Sequence, residues 1–159
     1  MEMPSTRWGK TLSNENKSII TEIPVLWGDM DSFGHVNNII YLKWCENSRI
    51  EFFRKLWSYD IGNMKEILEK GGVGPILANF NMDYKIPVQY PDLIKIVTQI
   101  THIGNTSFGI GHELYSTTNE EKIVALGSSV VVMIDYLSGE KVTIDKLNRE
   151  KLSPYLNKN

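Results

Sequence analysis

Two hydrophobic rhythms run along this chain, and each change of rhythm marks a new element. Ser18 to Trp27 is rich in Ile, Val and Trp and reads as a strand. Pro24 inside it lacks a ladder donor, so the strand belongs at an edge or a bulge. A turn-like stretch follows, from Gly28 to Gly34. From Asn38 to Leu56 the period lengthens to that of a helix. Tyr41, Trp44, Cys45, Ser48, Phe52 and Leu56 make one apolar stripe, with Lys43, Asn47, Glu51, Arg54 and Lys55 opposite. Asn37 or Asn38 is the expected N-cap. A shorter helix is expected at Gly62–Lys70, closed by Gly71-Gly72.

The second half returns to period two. Ile76, Ala78, Phe80, Met82 and Tyr84 alternate with Asn79, Asn81, Asp83 and Lys85, the pattern of a half-buried strand. Pro87 and Pro91 bound it. Leu93–Ile103 and Ser107–Ser116 read as strands joined by Gly104-Asn105-Thr106. Ile123–Tyr136 is the longest and most apolar strand, and Ser138-Gly139 ends it. A last short helix is expected within residues 144–155. Short turns make neighbouring strands antiparallel. The resulting class is α+β: one long helix against one antiparallel sheet of about five strands. The helix is too apolar for one face in water, so the sheet is expected to curl around it.

Composition narrows the function without fixing it. The 159 residues fit one domain, with residues 1–17 as a loose arm and 18–159 as the folded part. The formal charge of -2 gives no general attraction to nucleic acid or to an anionic membrane. No apolar run approaches a membrane span. The single cysteine, Cys45, excludes an internal disulfide and a multi-thiolate zinc site. It sits on the helical stripe with no basic neighbour, so it reads as a core thiol. No His, Asp and Glu cluster has metal spacing, and no metal or separate cofactor is expected. His102 and His112 lie within strands and read as packed or rim residues. Glu46 and Arg49, three apart on the helix, read as a structural ion pair. A cytoplasmic address is expected, with the mitochondrial matrix as the alternative.

Chemistry concentrates in Trp27-Gly28-Asp29-Met30-Asp31-Ser32-Phe33-Gly34-His35-Val36-Asn37-Asn38-Ile39-Ile40-Tyr41. Two carboxylates, a histidine and two asparagines sit in a glycine-bearing loop that opens a helix. A helix N-terminus offers unpaired N–H groups and a partial positive charge. Such a place can hold the oxyanion formed when a thioester carbonyl is attacked. A nearby carboxylate can attack that carbonyl or activate water. Caps and turns use the same residue types, and spacing does not tell Asp29 from Asp31.

The run D-M-D-S-F-G-H-V-N-N-I-I-Y, followed by L-K-W-C-E-N-S-R, resembles the 4-hydroxybenzoyl-CoA thioesterase branch of the hotdog superfamily. It is especially similar to acyl-CoA thioesterases with a D-x-D-x-x-G-H-V-N-N-x-x-Y signature. The likeness spans about residues 18–136. It implies a hotdog fold and hydrolysis of an acyl-CoA, with coenzyme A present only as part of the substrate. It implies Asp31 as the catalytic carboxylate, nucleophile or general base, and Asp29 as structural. Asn38 takes the position whose backbone N–H faces the thioester oxygen. His35 matches a histidine of the related plant enzymes, but Phe33 stands where those have asparagine, so their mechanism does not transfer whole. Gly34 permits the tight turn, and Asn37 and Tyr41 belong to the stretch that meets the thioester. Asn105 and Ser107 match a stretch near the pantetheine arm at a subunit boundary. The family also implies a homodimer or homotetramer with a shared groove. The alternative from another class is a non-catalytic acyl-CoA or lipid binder with the same fold. A hotdog dehydratase would need an Asp/His pair that is not found downstream.

Overall fold

A computed structural model describes residues 17–58 and 61–158. The expected arm over residues 1–17 lies outside them, except Lys17, whose N–H donates to the Pro154 carbonyl at 2.8 Å. The elements run β1 (Ile19–Pro24), α1 (Asn38–Trp57), α2 (Ile61–Lys70), β2 (Val73–Tyr84), β3 (Leu93–Ile103), β4 (Ser107–Ser116), β5 (Lys122–Asp135) and α3 (Lys146–Leu152). The strands form one antiparallel sheet in the order β1-β3-β4-β5-β2.

Local chemistry accounts for most boundaries. Pro24 closes β1 opposite Leu93 at a sheet edge, where its missing donor costs nothing. The strand therefore stops short of the expected Trp27. Trp27–Asp29 instead forms a 3-10 turn, because the Asp29 carboxylate accepts the Leu26 N–H at 2.8 Å. Asn37 is the N-cap of α1 and accepts the Ile39 N–H at 3.1 Å. Gly71, at φ +84°, follows α2 and returns its N–H to the Ile67 carbonyl.

The 20-residue helix α1 is the long central helix of a hotdog fold. It lies on the sheet over β1 and β3. Its buried face is Tyr41, Trp44, Cys45, Ser48, Arg49, Phe52 and Phe53, with Leu56 half-buried. Two apolar clusters fill the space beneath. One gathers Val25, Val36, Tyr41, Trp44 and Val88 against Ile94, Ile96 and Leu114. The other gathers Phe52, Phe53, Ile100, Phe108 and Ile110, and α3 closes its end with Leu152. Between them lies a polar layer. His112, fully buried, meets Ser48 Oγ through Nδ1 at 3.0 Å and Ser129 Oγ through Nε2 at 3.2 Å.

The alternation expected for β2 holds only in part. Phe80 and Met82 pack on the core, whereas Ile76, Leu77 and Tyr84 stay exposed. A register shift between Leu77 and Asn79 against β5 inserts Ala78, which breaks the two-residue rhythm. The strand is also the free edge of the sheet, so its apolar side chains have no neighbour on one side.

Candidate active site

The site is a loop held at three places. Val25 N–H donates to Asp92 O at 2.9 Å as the chain leaves β1. Val36 N–H donates to Val88 O at 2.8 Å just before α1 begins. Between these points the loop turns on itself. Asp31 N–H reaches His35 O at 2.9 Å, and Gly34 N–H reaches Asp31 O at 3.0 Å. Gly34 sits at φ +79°, a backbone conformation that strains any residue with a Cβ.

The two aspartates, equivalent in sequence, differ in the fold. Asp29 Oδ2 holds Leu26 N–H, and its carbonyl accepts Asn37 N–H at 2.9 Å. It joins the 3-10 turn to the start of α1. Asp31 Oδ1 accepts the Phe33 N–H at 2.9 Å, which fixes the carboxylate at the turn. Its Oδ2 has no hydrogen-bond partner among the described residues. The carboxylate is half-exposed. One oxygen therefore orients the group and the other is available.

At the first turn of α1, Asn37 uses its N–H, its carbonyl and its side chain internally. The Asn38 N–H has no partner among the described residues, and the residue is exposed. That is the donor a helix start leaves over. The Asn38 carbonyl accepts the Tyr84 hydroxyl at 3.2 Å, which ties the helix start to the end of β2. His35 is exposed, with no side-chain partner among the described residues. Tyr41 is placed differently from a substrate-facing residue. It is buried beneath the loop, edge-on to Tyr84 at 5.0 Å and tilted on Trp44 at 4.9 Å. Burial pushes its hydroxyl up to about 12, and an interaction with the Val88 backbone offsets part of that.

Asn105 and Ser107 are not beside Asp31 within one chain. They occupy the β3–β4 hairpin, where Gly104 N–H donates to Ser107 O at 2.7 Å and Asn105 O accepts Ile144 N–H at 2.8 Å. The Asp31 loop lies at the other end of β3, an extended length of about 33 Å away. Sequence spacing also gave no hint of Tyr84, Val88 and Gln89. All three come from the end of β2 and the crossover after it, and Gln89 Nε2 donates to Gly34 O at 3.2 Å. A surface cavity of about 720 Å³ lies elsewhere, open between β1 and the end of α1.

Cys45 is fully buried, and burial raises its thiol to about 12, so it is a core residue as expected. Glu46 and Arg49 do not touch, but the Glu46 carboxylate still favours the charge on the Arg49 guanidinium from one helical turn away. Arg49 turns inward and donates to Ser129 Oγ at 3.4 Å, while Glu46 stays exposed. Among the described residues no three His, Cys, Asp or Glu side chains are placed to hold a metal. No described helix is long and apolar enough to cross a membrane.

Residues 25–152 match the family model of the Thioesterase-like superfamily. The chain belongs to that superfamily. It is thus a thioester hydrolase by family. It is 26% identical over 132 residues to the long-chain acyl-CoA thioesterase FadM of Escherichia coli, covering 83% of this chain and 95% of that one. Its fold superposes on the DHNA-CoA thioesterase of Staphylococcus aureus with a TM-score of 0.71 at 20% identity, over 87% of this chain and 88% of the other. The 1,4-dihydroxy-2-naphthoyl-CoA thioesterase of Synechocystis gives 0.73 at 17% identity, over 86% and 96%. All three sources are bacterial, so the comparison adds nothing to a mitochondrial address.

Proposed function

We propose that the chain hydrolyses acyl-CoA thioesters to a free acid and coenzyme A, with Asp31 at the centre. The observation that carries this reading is a pairing at one loop–helix junction. Asp31 keeps one carboxylate oxygen without a partner, and Asn38 keeps one N–H without a partner. The first can act on a carbonyl carbon while the second receives the charge that builds on its oxygen. Either Asp31 attacks, coenzyme A leaves as its thiolate, and water then cleaves the mixed anhydride. Or Asp31 takes a proton from water as that water attacks, and the departing thiolate receives the proton. FadM is a long-chain acyl-CoA thioesterase and the Synechocystis neighbour a 1,4-dihydroxy-2-naphthoyl-CoA thioesterase, so the substrate panel spans both kinds of acyl group.

The working unit in this reading is a homodimer or homotetramer. Asn105 and Ser107 lie too far from Asp31 to join it in one chain, and a partner supplies them. Phe33, 87% exposed beside Asp31, and Trp27, 73% exposed, give the site mouth an apolar surface suited to an acyl chain or to a partner subunit.

Thiol release from short, medium, long and aromatic acyl-CoAs tests the activity. Asp31→Asn and Asp31→Ala are expected to lower kcat/KM by about 10²–10⁴-fold with folding unchanged. Full turnover by both variants removes Asp31 from the mechanism. Retention of acyl-CoA by the wild type with no thiol released across the panel favours the non-catalytic binder.

A further inference from the structure

Two halves make up the site, and one short segment outside the loop holds both. The Asp31 half is the turn closed by Asp31 N–H on His35 O and by Gly34 N–H on Asp31 O. The Gly34 carbonyl is left over by those two bonds, and it accepts Gln89 Nε2–H at 3.2 Å. A carbonyl can only accept, so this contact fixes which end of the Gln89 amide faces the turn. The other half is the first turn of α1, where the Asn38 carbonyl accepts the Tyr84 hydroxyl at 3.2 Å. Tyr84 and Gln89 stand at the two ends of residues 84–89, and that segment is itself anchored. Lys85 and Ile86 both donate their N–H to the Val124 carbonyl, at 2.8 and 3.1 Å. Pro87 fixes its own φ. Val88 is fully buried, and its carbonyl holds the Val36 N–H at 2.8 Å. The Tyr84 ring stands edge-on to the buried Tyr41 at 5.0 Å, which limits where its hydroxyl points.

We infer that Tyr84 and Gln89 are positioning residues, a clamp that sets the gap between the Asp31 carboxylate and the Asn38 N–H from one anchored segment. The proposal rests on the reading of Asp31 and Asn38 above and adds what holds the two in register. Neither residue touches the reacting atoms, and each acts through the backbone group it binds. The need is geometric. The carboxylate must reach a carbonyl carbon while the N–H reaches the oxygen of that same carbonyl. An error of about 1 Å in their separation therefore costs rate at the chemical step. Gly34, at φ +79° and without a Cβ, is the point where the loop turns most freely. A turn built on such a residue is held to one shape by bonds to its carbonyls, and Gln89 supplies one at Gly34 itself. Tyr84 does the same at the helix start, where the first turn lacks the intrahelical bonds of later ones.

Tyr84→Phe loses only the hydroxyl, and Gln89→Met keeps the length and loses the donor. On an acyl-CoA that the wild type cleaves, each is expected to lower kcat about fivefold or more, with KM within about twofold and Tm nearly unchanged. A second measurement separates positioning from plain support. In an Asp31→Asn chain under single-turnover conditions, Gln89→Met is expected to cost less than about twofold further, because Gln89 acts through Asp31. The same loss in both backgrounds overturns that role. Wild-type kcat in both single variants, with Asp31→Asn impaired, overturns the clamp and leaves Asp31 standing. A fall in Tm with kcat intact marks a structural tie and overturns the clamp as well. Full turnover by Asp31→Asn removes the reading on which the clamp rests.

Discussion

Asp29 and Asp31 are the same side chain two residues apart, and their hydrogen bonds tie them to different segments, Asp29 to the start of α1 and Asp31 only within its own turn. Asp29 spends its carboxylate and its carbonyl on Leu26 and Asn37, so removing it loosens the join between turn and helix. Asp29→Ala is expected to cost about 1 kcal/mol, read as a fall of about 2–4 °C in Tm. Asp31→Ala gives up one bond to a half-exposed group and is expected to leave Tm nearly unchanged while activity falls. A thermal scan beside a thiol-release assay separates the two, and equal losses of stability would contradict the assignment. Cys45 makes a third test at this scale. Its buried, raised thiol is expected to resist an aromatic disulfide reagent in the native protein and react once unfolded, with Cys45→Ser still active.

At the scale of elements, α1 joins the site to the core. Its first turn presents the Asn38 N–H, and its middle carries Ser48 into the polar layer around His112. Burial, with Arg49 nearby, holds the His112 imidazole down to about 3. The unfolded chain takes up that proton near pH 6.5. Between about 6.5 and 3, unfolding binds a proton that folding excludes. His112 therefore contributes its full stability above pH 6.5 and loses it as pH falls, by up to about 1.4 kcal/mol per unit. Urea midpoints at pH 7 and pH 5 are expected to diverge more for wild type than for His112→Gln. The capping of α1 offers a simpler check: Asn37→Ala is expected to cost about 1 kcal/mol in the same titration.

The whole molecule decides what the elements can share. The order β1-β3-β4-β5-β2 puts the Asp31 loop at one end of the sheet and the Asn105 hairpin at the other. A site built from both needs two chains. Specific activity is then expected to fall on dilution through the dimer dissociation constant, as read by continuous thiol release at stepped protein concentrations. Activity per chain that stays flat well below that concentration would contradict a shared site.

The sequence by itself settled what depends on neighbours along the chain. The ends of β3 and β4, the course of α1, the Asn37 cap and the edge position of Pro24 follow from periodicity, turns and missing donors, which act within a few residues. The thirteen-residue signature pointed to the loop and to Asp31. Tertiary structure decided the rest. It set the Asp31 carboxylate on the Phe33 N–H at the turn and tied Asp29 through its carboxylate to Leu26 and through its carbonyl to Asn37, because the partners are backbone groups that only the folded loop brings near. It drew the Arg49 guanidinium inward to Ser129, on a strand 80 residues later, so that Glu46 acts on it without touching it. It buried Tyr41 and set Tyr84, Val88 and Gln89 around the loop, because the crossover from the β2 edge to β3, beside the opposite edge, passes there. Local spacing carries no record of such contacts, since the chain between them can take many paths and packing selects one.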